Sequence, residues 1–463
     1  MVGDLLSALP ASLRALPAER AAAVMRILAA ALEAVTPETA VQRHLQRRGQ
    51  ALKADGRTYS LQTLRHIWLV GAGKAATPMA WAVCQTLGKE VFSGGLVITK
   101  TGHGGAQAAH LADCGVQVRE AAHPIPDERG LAATRELTAL VEQAGSDDLV
   151  IVVISGGGSA LLTAPAPGIS LDDMQRLTAL LLASGASINE INLLRKHLDT
   201  IKGGGLARLA APAQVLTLIL SDVVGDPLDV IASGPTVPDP GTFGEALAVL
   251  ERYHLLEHTP PAILEHLRRG VVGEVDETPK PGDPLFERVQ HLVVGNNDQA
   301  ARAALAQAHH EGFNALLLTT YLQGEARQAG RFLAALARQV ATSGEPLPRP
   351  ACLILGGETT VTLRGRGLGG RNQELALGAV EDLAGLADVL LITLATDGGD
   401  GPTDAAGAAV SGESLARAHA LGLSPQAFLA DNDSYHFFAA LDDLLRTGPT
   451  QTNVNDLAFI FAF

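Results

Sequence analysis

The chain has 463 residues, of which 47% are hydrophobic and 18% charged, and its formal net charge is −14. The length predicts two or three domains, and the composition excludes a disordered chain. The negative net charge argues against a nucleic-acid partner. The sequence has no run of about 18 apolar residues, so no membrane span is expected. The three cysteines, Cys84, Cys114 and Cys352, show no metal-ligand or disulfide spacing, so we expect a reducing, cytoplasmic location.

The first residues mix Asp4, Arg14 and Glu19 with apolar positions, which predicts an amphipathic helix rather than a signal peptide. Beyond them, short β-branched runs alternate with Ala- and Leu-rich stretches of helical period, the pattern of parallel sheets covered by helices. The sequence therefore predicts an α/β fold. The predicted strands are His66–Val70, Gly95–Thr99, Leu149–Ile154, Gln214–Leu220, Leu292–Val294, Ala315–Thr319, Ala351–Leu355 and Val389–Leu394.

A Pro-, Gly- and Asp-rich stretch, Ser233–Gly241, breaks this alternation after the fourth strand and indicates a domain boundary. We predict an N-terminal Rossmann-like α/β domain over 1–240, a parallel sheet with helices on both faces. A connector over 241–288 and a second α/β domain over 289–463 follow. In open parallel sheets ligands bind beyond the carboxyl ends of the strands, so the glycine-rich and acidic strand exits are the candidate sites.

The exit of the first strand carries Gly71, Gly73 and Lys74, followed by a helix. Backbone N–H groups at a helix start favour a phosphate there, and a lysine at that position is unfavourable unless an anion is present. Two alternatives stay open: Lys74 as a solvated surface residue, and the dinucleotide fingerprint G-x-G-x-x-A, which needs an acid at the end of the next strand. That strand ends in Lys100, which weakens the reductase interpretation but suits the extra phosphate of NADP.

The exit of the third strand carries Ser155, Gly156, Gly157, Gly158 and Ser159. Three glycines allow a close backbone approach and two hydroxyls can donate to phosphate oxygens, so we favour an anion-binding loop over a plain tight turn.

Two further segments carry candidate ligand-binding side chains. His123 lies in a loop that prolines on either side of Ile125 stiffen, and Asp127 could either touch ligand or cap the next helix. In the segment 189–199, helical spacing places Asn192, Arg195, Lys196 and Asp199 on one face, which is either a polar cleft or a solvated surface.

Two acidic clusters stand at strand exits, around Asp222 and around Asp397. Carboxylates there commonly hold Mg²⁺ or accept a proton, whereas Asx-turns explain only some of them. Further on, Gly370 precedes Arg371 at the start of a helix, and its guanidinium suits a carboxylate or a phosphoryl group.

Eight motifs in order resemble the glycerate 2-kinase family, whose C-terminal half is the MOFRL domain, over nearly the whole chain. They are Gly71–Ala75, His123–Asp127, Ile154–Ala160, Arg195–Leu198, Ser221–Asp226, Gly356–Thr360, Gly370–Glu374 and Thr396–Asp404. The resemblance implies transfer of phosphate from ATP to D-glycerate, giving 2-phosphoglycerate, with a divalent cation such as Mg²⁺, in a cleft between the two domains.

The resemblance also implies functional roles for Lys74, Asp222, Arg371 and Asp397. Asp222 and Asp397 are the candidate metal ligands, and His123, Arg195, Lys196, Glu358 and Asn372 are the candidate substrate-binding residues. Ala395 and Gln451 depart from the family pattern, which more often has glycine at both positions. Gln451 therefore places a side chain in a turn.

We expect Lys74 and the Ser155–Ser159 loop to hold phosphate, and Arg371 to bind the glycerate carboxylate or the transferred group. Asp222 or Asp397 would orient the hydroxyl or carry Mg²⁺. The partners are small molecules, with no nucleic acid and no membrane, and a homodimer is left open. Two alternatives remain, an NAD(P)H-dependent hydroxypyruvate reductase and a non-catalytic sugar-phosphate-binding regulator.

Overall fold

The computed structural model describes residues 8–463. Its strands are β1 Leu45–Arg48, β2 Ala51–Ala54, β3 Arg57–Ser60, β4 Ile67–Ala72, β5 Gly94–Lys100, β6 Val116–Ala121, β7 Leu149–Ser155, β8 Gln214–Leu220, β9 Val289–Gly295, β10 Asn314–Leu322, β11 Ala351–Gly357, β12 Val389–Ala395, β13 Gly407–Ser411, β14 Leu444–Leu445 and β15 Asp456–Ala462.

The helices alternate with these strands over most of the chain. They are α1 Ala11–Arg14, α2 Ala18–Glu33, α3 Pro37–His44, α4 Ala76–Leu87, α5 Gln107–Ala112, α6 Glu128–Val141, α7 Gly158–Leu161, α8 Leu171–Ser184, α9 Ile188–His197, α10 Gly205–Ala210, α11 Phe243–Arg252, α12 Pro261–Val271, α13 Asn297–His310, α14 Ala326–Ser343, α15 Arg371–Leu383, α16 Ser414–Ala420, α17 Pro425–Asp431 and α18 Ser434–Ala440. The α/β class is confirmed. No helix between residues 8 and 463 has both the length and the apolar character needed to cross a membrane.

Contacts divide the described chain into two compact units. One is Pro37–Val294, and the other joins the described residues up to Thr36 to Gly295–Phe463. Helices α11 and α12 of the predicted connector lie in the first unit. The boundaries 1–240, 241–288 and 289–463 are kept as a proposal for the domain organisation.

The unit Pro37–Val294 is built on a six-stranded sheet of order β6-β5-β4-β7-β8-β9. The pairs β4–β5, β5–β6, β4–β7 and β7–β8 are all parallel. Counted from β4, the order is 3-2-1-4-5-6, that of the doubly wound nucleotide-binding fold. Its topological switch point lies between β4 and β7, where ligands bind in such sheets.

The strands at this switch point are buried along their whole length, which is why they read as continuous apolar runs. Every residue of β7 is buried, and so is every residue of β4. Val70, Val152 and Ile154 pack in one apolar core beneath helices, so the carboxyl ends of both strands are held rigidly.

The sheet of the other unit has the order β10-β11-β15-β12-β13-β14. Only β10 and β11 form a parallel pair, whereas β15 is antiparallel to both β11 and β12, and β13 is antiparallel to β12. This sheet is therefore mixed, whereas a parallel sheet was predicted only for the N-terminal domain. The reason is β15, a strand absent from the predicted set, which inserts between the two predicted strands and reverses the local direction.

The predicted N-terminal amphipathic helix begins at residues that lie outside the described range. Within that range, α2 buries Val24, Ile27 and Leu28 and leaves Glu19 exposed, which is the amphipathic pattern. A three-stranded antiparallel meander, β1-β2-β3, precedes β4 and forms a separate small sheet.

Candidate functional site

At the switch point, the turn after β4 is fastened to the turn after β7; we call Gly71–Ala75 and Ser155–Ser159 together the glycine cradle. The N–H of Ala75 donates to Ser155 Oγ at 2.9 Å, and the N–H of Lys74 donates to the carbonyl oxygen of Gly156 at 2.8 Å. Gly73 has φ +139°, and a Cβ there would lie 2.1 Å from Ser155 Oγ. Glycine at this position is therefore a steric requirement.

Two lysines and two histidines lie around the cradle. Lys74 belongs to it, Lys100 ends β5, and His103 and His123 lie in the turns after β5 and β6. The ring of His123 packs over Gly157, since a Cβ there would lie 3.0 Å from His123 Nε2 and 3.5 Å from Lys74 Cγ. In the described chain neither Lys74 nor Lys100 has a carboxylate within ion-pair distance, so the positive charge is left for an external anion.

The pKa of His123 reflects both its burial and these neighbouring positive charges. Burial first, and then the charges of Lys74, Lys100 and His103, lower its pKa from 6.5 to about 4. At neutral pH the imidazole is therefore neutral and can donate one hydrogen bond and accept another.

A chain of polar contacts leads from the cradle to α9. Ser159 Oγ and Ser233 Oγ are 2.8 Å apart, and Ser233 donates to Asn192 Oδ1 at 3.2 Å. Asn192 thus orients the second hydroxyl of the cradle. The capping alternative for Asp127 is confirmed, because its side chain accepts from the N–H of Gly130 at the start of α6.

The predicted polar face of α9 is divided between different environments. Lys196 is buried, with Nζ 3.3 Å from Asp229 Oδ2 and 3.3 Å from Asp239 Oδ1. Asp199 lies beyond the helix end and pairs with Lys202 at 2.7 Å. These two charges are neutralised inside the protein, which sets them apart from Arg195.

Asp222 follows β8 directly and is half-buried. Because β7 and β8 are parallel, it stands at the same sheet edge as the Ser155–Ser159 turn. Its position matches the predicted acidic strand exit, two strands away from Lys74.

In the other unit, Arg371 opens α15 and is held by two carboxylates. Its Nε donates to Asp456 Oδ2 at 2.5 Å and its Nη2 to Asp456 Oδ1 at 3.2 Å, while Nη1 donates to Glu358 Oε1 at 2.5 Å. Burial opposes the charge of Arg371, but the neighbouring carboxylates outweigh it and raise its pKa. The guanidinium fork that was expected to bind a substrate carboxylate is engaged by the protein itself.

Asp400 anchors the start of α15. Its carboxylate accepts from the N–H groups of Asn372 at 3.1 Å and Gln373 at 2.8 Å, and from the amide of Asn372 at 3.3 Å. Burial raises its pKa to about 7, against the lowering effect of those donors. Asn372 is itself buried, so its role here is to orient Asp400.

Asp397 stands after β12 and is half-buried. Its Oδ1 accepts from the N–H of Gly399 at 3.2 Å, which is Asx-turn geometry, and its carbonyl accepts from the N–H of Thr450. Across residues 8–463 no group of three or more His, Cys, Asp or Glu side chains has an arrangement that could hold a metal ion. Mg²⁺ in kinases is held by one or two carboxylates together with substrate phosphates and water, so single acids such as Asp222 and Asp397 fit such a site.

The structure brings Gly71, Gly73, Lys74, His123 and Ser155–Ser159 together at the switch point, and Glu358, Arg371 and Asn372 together at α15. The sequence named Lys100 only as a partner for the extra phosphate of NADP, and it did not indicate His103 near the cradle. It also did not indicate Asp400 and Asp456 near the start of α15. For Lys100 a signal was present, since a lysine at a strand exit next to a glycine-rich turn indicates an anion site. Asp456 is the first residue of β15, a strand that was not predicted.

Two family models match the chain. The first, described as a domain of unknown function (DUF4147), matches residues 23–268, and the second, the MOFRL family, matches residues 351–456.

Relatives cover nearly the full length. A D-glycerate 2-kinase of Thermotoga maritima is 43% identical over 94% of this chain and 96% of its own length, and a glycerate kinase of Rattus norvegicus is 38% identical over 92% and 90%. A putative hydroxypyruvate reductase of Agrobacterium vitis is 42% identical over 85% of this chain and 86% of its own. The crystal structure of a glycerate kinase from Thermotoga maritima superposes with a TM-score of 0.84 at 42% identity, covering 95% of this chain and 99% of that one.

Proposed function

Because the chain belongs to the glycerate 2-kinase family, we propose that it transfers the γ-phosphoryl group of ATP to D-glycerate and releases 2-phosphoglycerate and ADP. In this reaction the C2 hydroxyl oxygen bonds to the γ-phosphorus, the bond from that phosphorus to the β,γ-bridging oxygen breaks, and the hydroxyl proton passes to a base. The reaction demands charge neutralisation and positioning above all.

The observation that carries the proposal is the cationic group around the glycine cradle. Lys74 and Lys100 have no carboxylate of the described chain within ion-pair distance. The glycines of the cradle let a ligand come close to the backbone, at the switch point of a sheet with the strand order of nucleotide-binding folds. We assign the ATP phosphates to this place, with Lys74 and the Ser155–Ser159 turn holding them. Neutral His123 serves as a hydrogen-bond donor to a phosphate oxygen.

A divalent cation such as Mg²⁺, when bound, would offset the negative charge that develops on the phosphoryl oxygens during transfer. Asp222 is our proposed ligand for it, because a half-buried carboxylate at the same sheet edge as the cradle suits a metal that keeps most of its ligands as phosphates and water. Asp397 is kept as the proposed acid that orients the hydroxyl. Arg371 is proposed to position Glu358 and Asp456 for the reaction.

The test is ATP-dependent turnover of D-glycerate by the purified chain, with the product identified by phosphorus NMR. We expect 2-phosphoglycerate and ADP, a fall of about 100-fold or more in kcat/KM for Lys74→Ala, and a comparable loss for Arg371→Ala. Lys53→Ala, at an exposed lysine of β2, is the matched control and should leave turnover unchanged. Full activity in both the Lys74 and the Arg371 variants would overturn the assignment.

The name of the Agrobacterium vitis relatives makes hydroxypyruvate reduction the second candidate. The same preparation decides between them: oxidation of NADH or NADPH with hydroxypyruvate, and no phosphoryl transfer, would favour a reductase. Ligand-induced thermal stabilisation without consumption of ATP would instead favour a sugar-phosphate-binding regulator.

A further inference from the structure

The guanidinium of Arg371 is not available to the substrate carboxylate, which was one of its two expected partners. All the guanidinium nitrogens of Arg371 face Asp456 or Glu358, two on the first carboxylate and one on the second. A third carboxylate there would meet two negative charges for one positive charge. The carboxylate of a glycerate molecule therefore needs a different cation.

Arg195 is a cation in the opposite situation. It lies on α9, its side chain is half-buried, and its guanidinium makes no hydrogen bond or ion pair with another residue of the range 8–463. Burial lowers its pKa, with only a Coulombic contribution from Asp199 raising it. Asp199 itself is engaged by Lys202 Nζ at 2.7 Å and by the N–H groups of Ala164 and Ile201, each at 3.0 Å. The protein thus keeps a partly desolvated guanidinium without a partner of its own.

The position of Arg195 relates it to the glycine cradle. Asn192 lies three residues earlier on α9, so both side chains project from the same face of the helix. Asn192 accepts from Ser233, and Ser233 is 2.8 Å from Ser159 of the cradle. The face of α9 that carries Arg195 therefore borders the place to which we assign the phosphates.

We propose that Arg195 binds the carboxylate of the acceptor substrate through a bidentate pair, and that this residue, rather than Arg371, makes the enzyme specific for a hydroxy acid over an uncharged polyol. The inference rests on the proposed kinase function. A planar guanidinium matches a carboxylate with two parallel N–H···O bonds, and partial burial strengthens both of them. Binding of the substrate carboxylate would also supply the negative charge that the Arg195 guanidinium lacks as a partner in the free protein.

The experiment compares variants of Arg195 on two substrates, one with a carboxylate and one without. Turnover is measured with D-glycerate and with D-glyceramide, which carries a neutral amide in place of the carboxylate, for the wild-type chain, Arg195→Met and Arg195→Lys. Arg176→Met, at an exposed arginine of α8 in the same unit, is the matched control.

We expect Arg195→Met to raise KM for D-glycerate about 100-fold and to leave KM for ATP within about twofold. The preference for D-glycerate over D-glyceramide should fall from about 100-fold to near unity, while Arg195→Lys keeps part of it and Arg176→Met keeps all of it. If Arg195→Met does not fold, the Arg195→Lys variant decides, because it keeps the charge and loses the fork; a wild-type KM for D-glycerate in that variant contradicts the bidentate pair.

An unchanged preference in Arg195→Met overturns the inference. Absence of D-glycerate phosphorylation by the wild-type chain is a different result, because it contradicts the proposed function itself. The two failures are therefore distinguishable in one set of assays.

Discussion

Ser155 Oγ accepts a hydrogen bond of 2.9 Å from the N–H of Ala75, which joins the exit of β7 to the exit of β4. The two residues are 80 positions apart in the chain. Both strands meet at the switch point, so this bond, together with that from the N–H of Lys74 to the carbonyl oxygen of Gly156, fixes the spacing of the two turns that form the glycine cradle. Small changes in this spacing should affect both the stability of the unit and its binding of phosphate.

Gly73→Ala tests the tightness of this junction. A Cβ at residue 73 would lie 2.1 Å from Ser155 Oγ, and the φ of +139° is strained for any residue with a side chain. We expect the free energy of unfolding to fall by about 2–4 kcal/mol, measured by urea denaturation. Gly115→Ala is the control, because its φ is +74° with nothing within 4 Å of the added carbon, and it should cost only about 1 kcal/mol. Equal costs at the two positions would contradict the steric argument.

His123 gives a prediction on pH. Its pKa is about 4 in the folded protein and about 6.5 when unfolded, so between these values the unfolded chain binds the extra proton. His123 therefore leaves the free energy of unfolding unaffected above pH 6.5 and lowers it progressively as the pH falls from there toward 4.

His123→Gln should remove this dependence. Its free energy of unfolding, measured by urea denaturation at pH 7 and at pH 4.5, should change less between the two than that of the wild-type chain. His258→Gln, at an exposed position of the same unit, should follow the wild-type chain. If the free energy of unfolding changes more between the two pH values in His123→Gln than in the wild-type chain, the imidazole accepts its proton easily in the folded state.

Arg371→Met should be among the most destabilising single changes in its unit. It would leave Asp456, which is buried, and Glu358 without their cation, at a cost of about 3–5 kcal/mol. Arg366→Met changes an exposed arginine in the loop just before α15 and should cost less than about 0.5 kcal/mol. Adding Asp456→Asn to Arg371→Met should restore part of the loss, and a strictly additive double variant would contradict the ion-pair explanation.

Gln451 occupies a left-handed backbone conformation, with φ +63°. The resemblance to the family leads us to expect glycine at this position, and glycine adopts this conformation without steric cost. We expect Gln451→Gly to raise the free energy of unfolding by about 1 kcal/mol, and Gln426→Gly within α17 to lower it by a similar amount. A lower stability of Gln451→Gly, measured by thermal unfolding, would show that contacts of the glutamine outweigh its backbone strain.

The strands that sequence reasoning found best are those buried on both faces. Gln214–Leu220 was predicted with the bounds that the structure has, because a central parallel strand reads as one apolar run. β15 is equally buried, yet which strands it pairs with depends on contacts across the chain that no local pattern contains. The mixed direction of the second sheet was for this reason beyond local inference.

The candidate site shows the same division. Lys74 and the Ser155–Ser159 turn were found because glycines at strand exits are a local signal. The ion pairs that occupy the guanidinium of Arg371 were not found, since its carboxylate partners lie 13 and 85 positions away in the chain. A sequence can indicate that a guanidinium is present, but the charge it neutralises is settled only by the folded chain.

The unit that contains β15 also contains α1 and α2, although Pro37–Val294 separates them from Gly295 in the chain. During synthesis from the N-terminus, α2 is made well before α13, which it packs against, and at about 5–20 residues per second the wait lasts on the order of ten seconds or more. The intervening unit has all its own strands and can fold in that interval. Until α13 is made, the apolar face of α2, with Ile27 and Leu28, stays exposed to solvent. A newly made chain should therefore depend on chaperones at α2 rather than at the sheet of the unit Pro37–Val294.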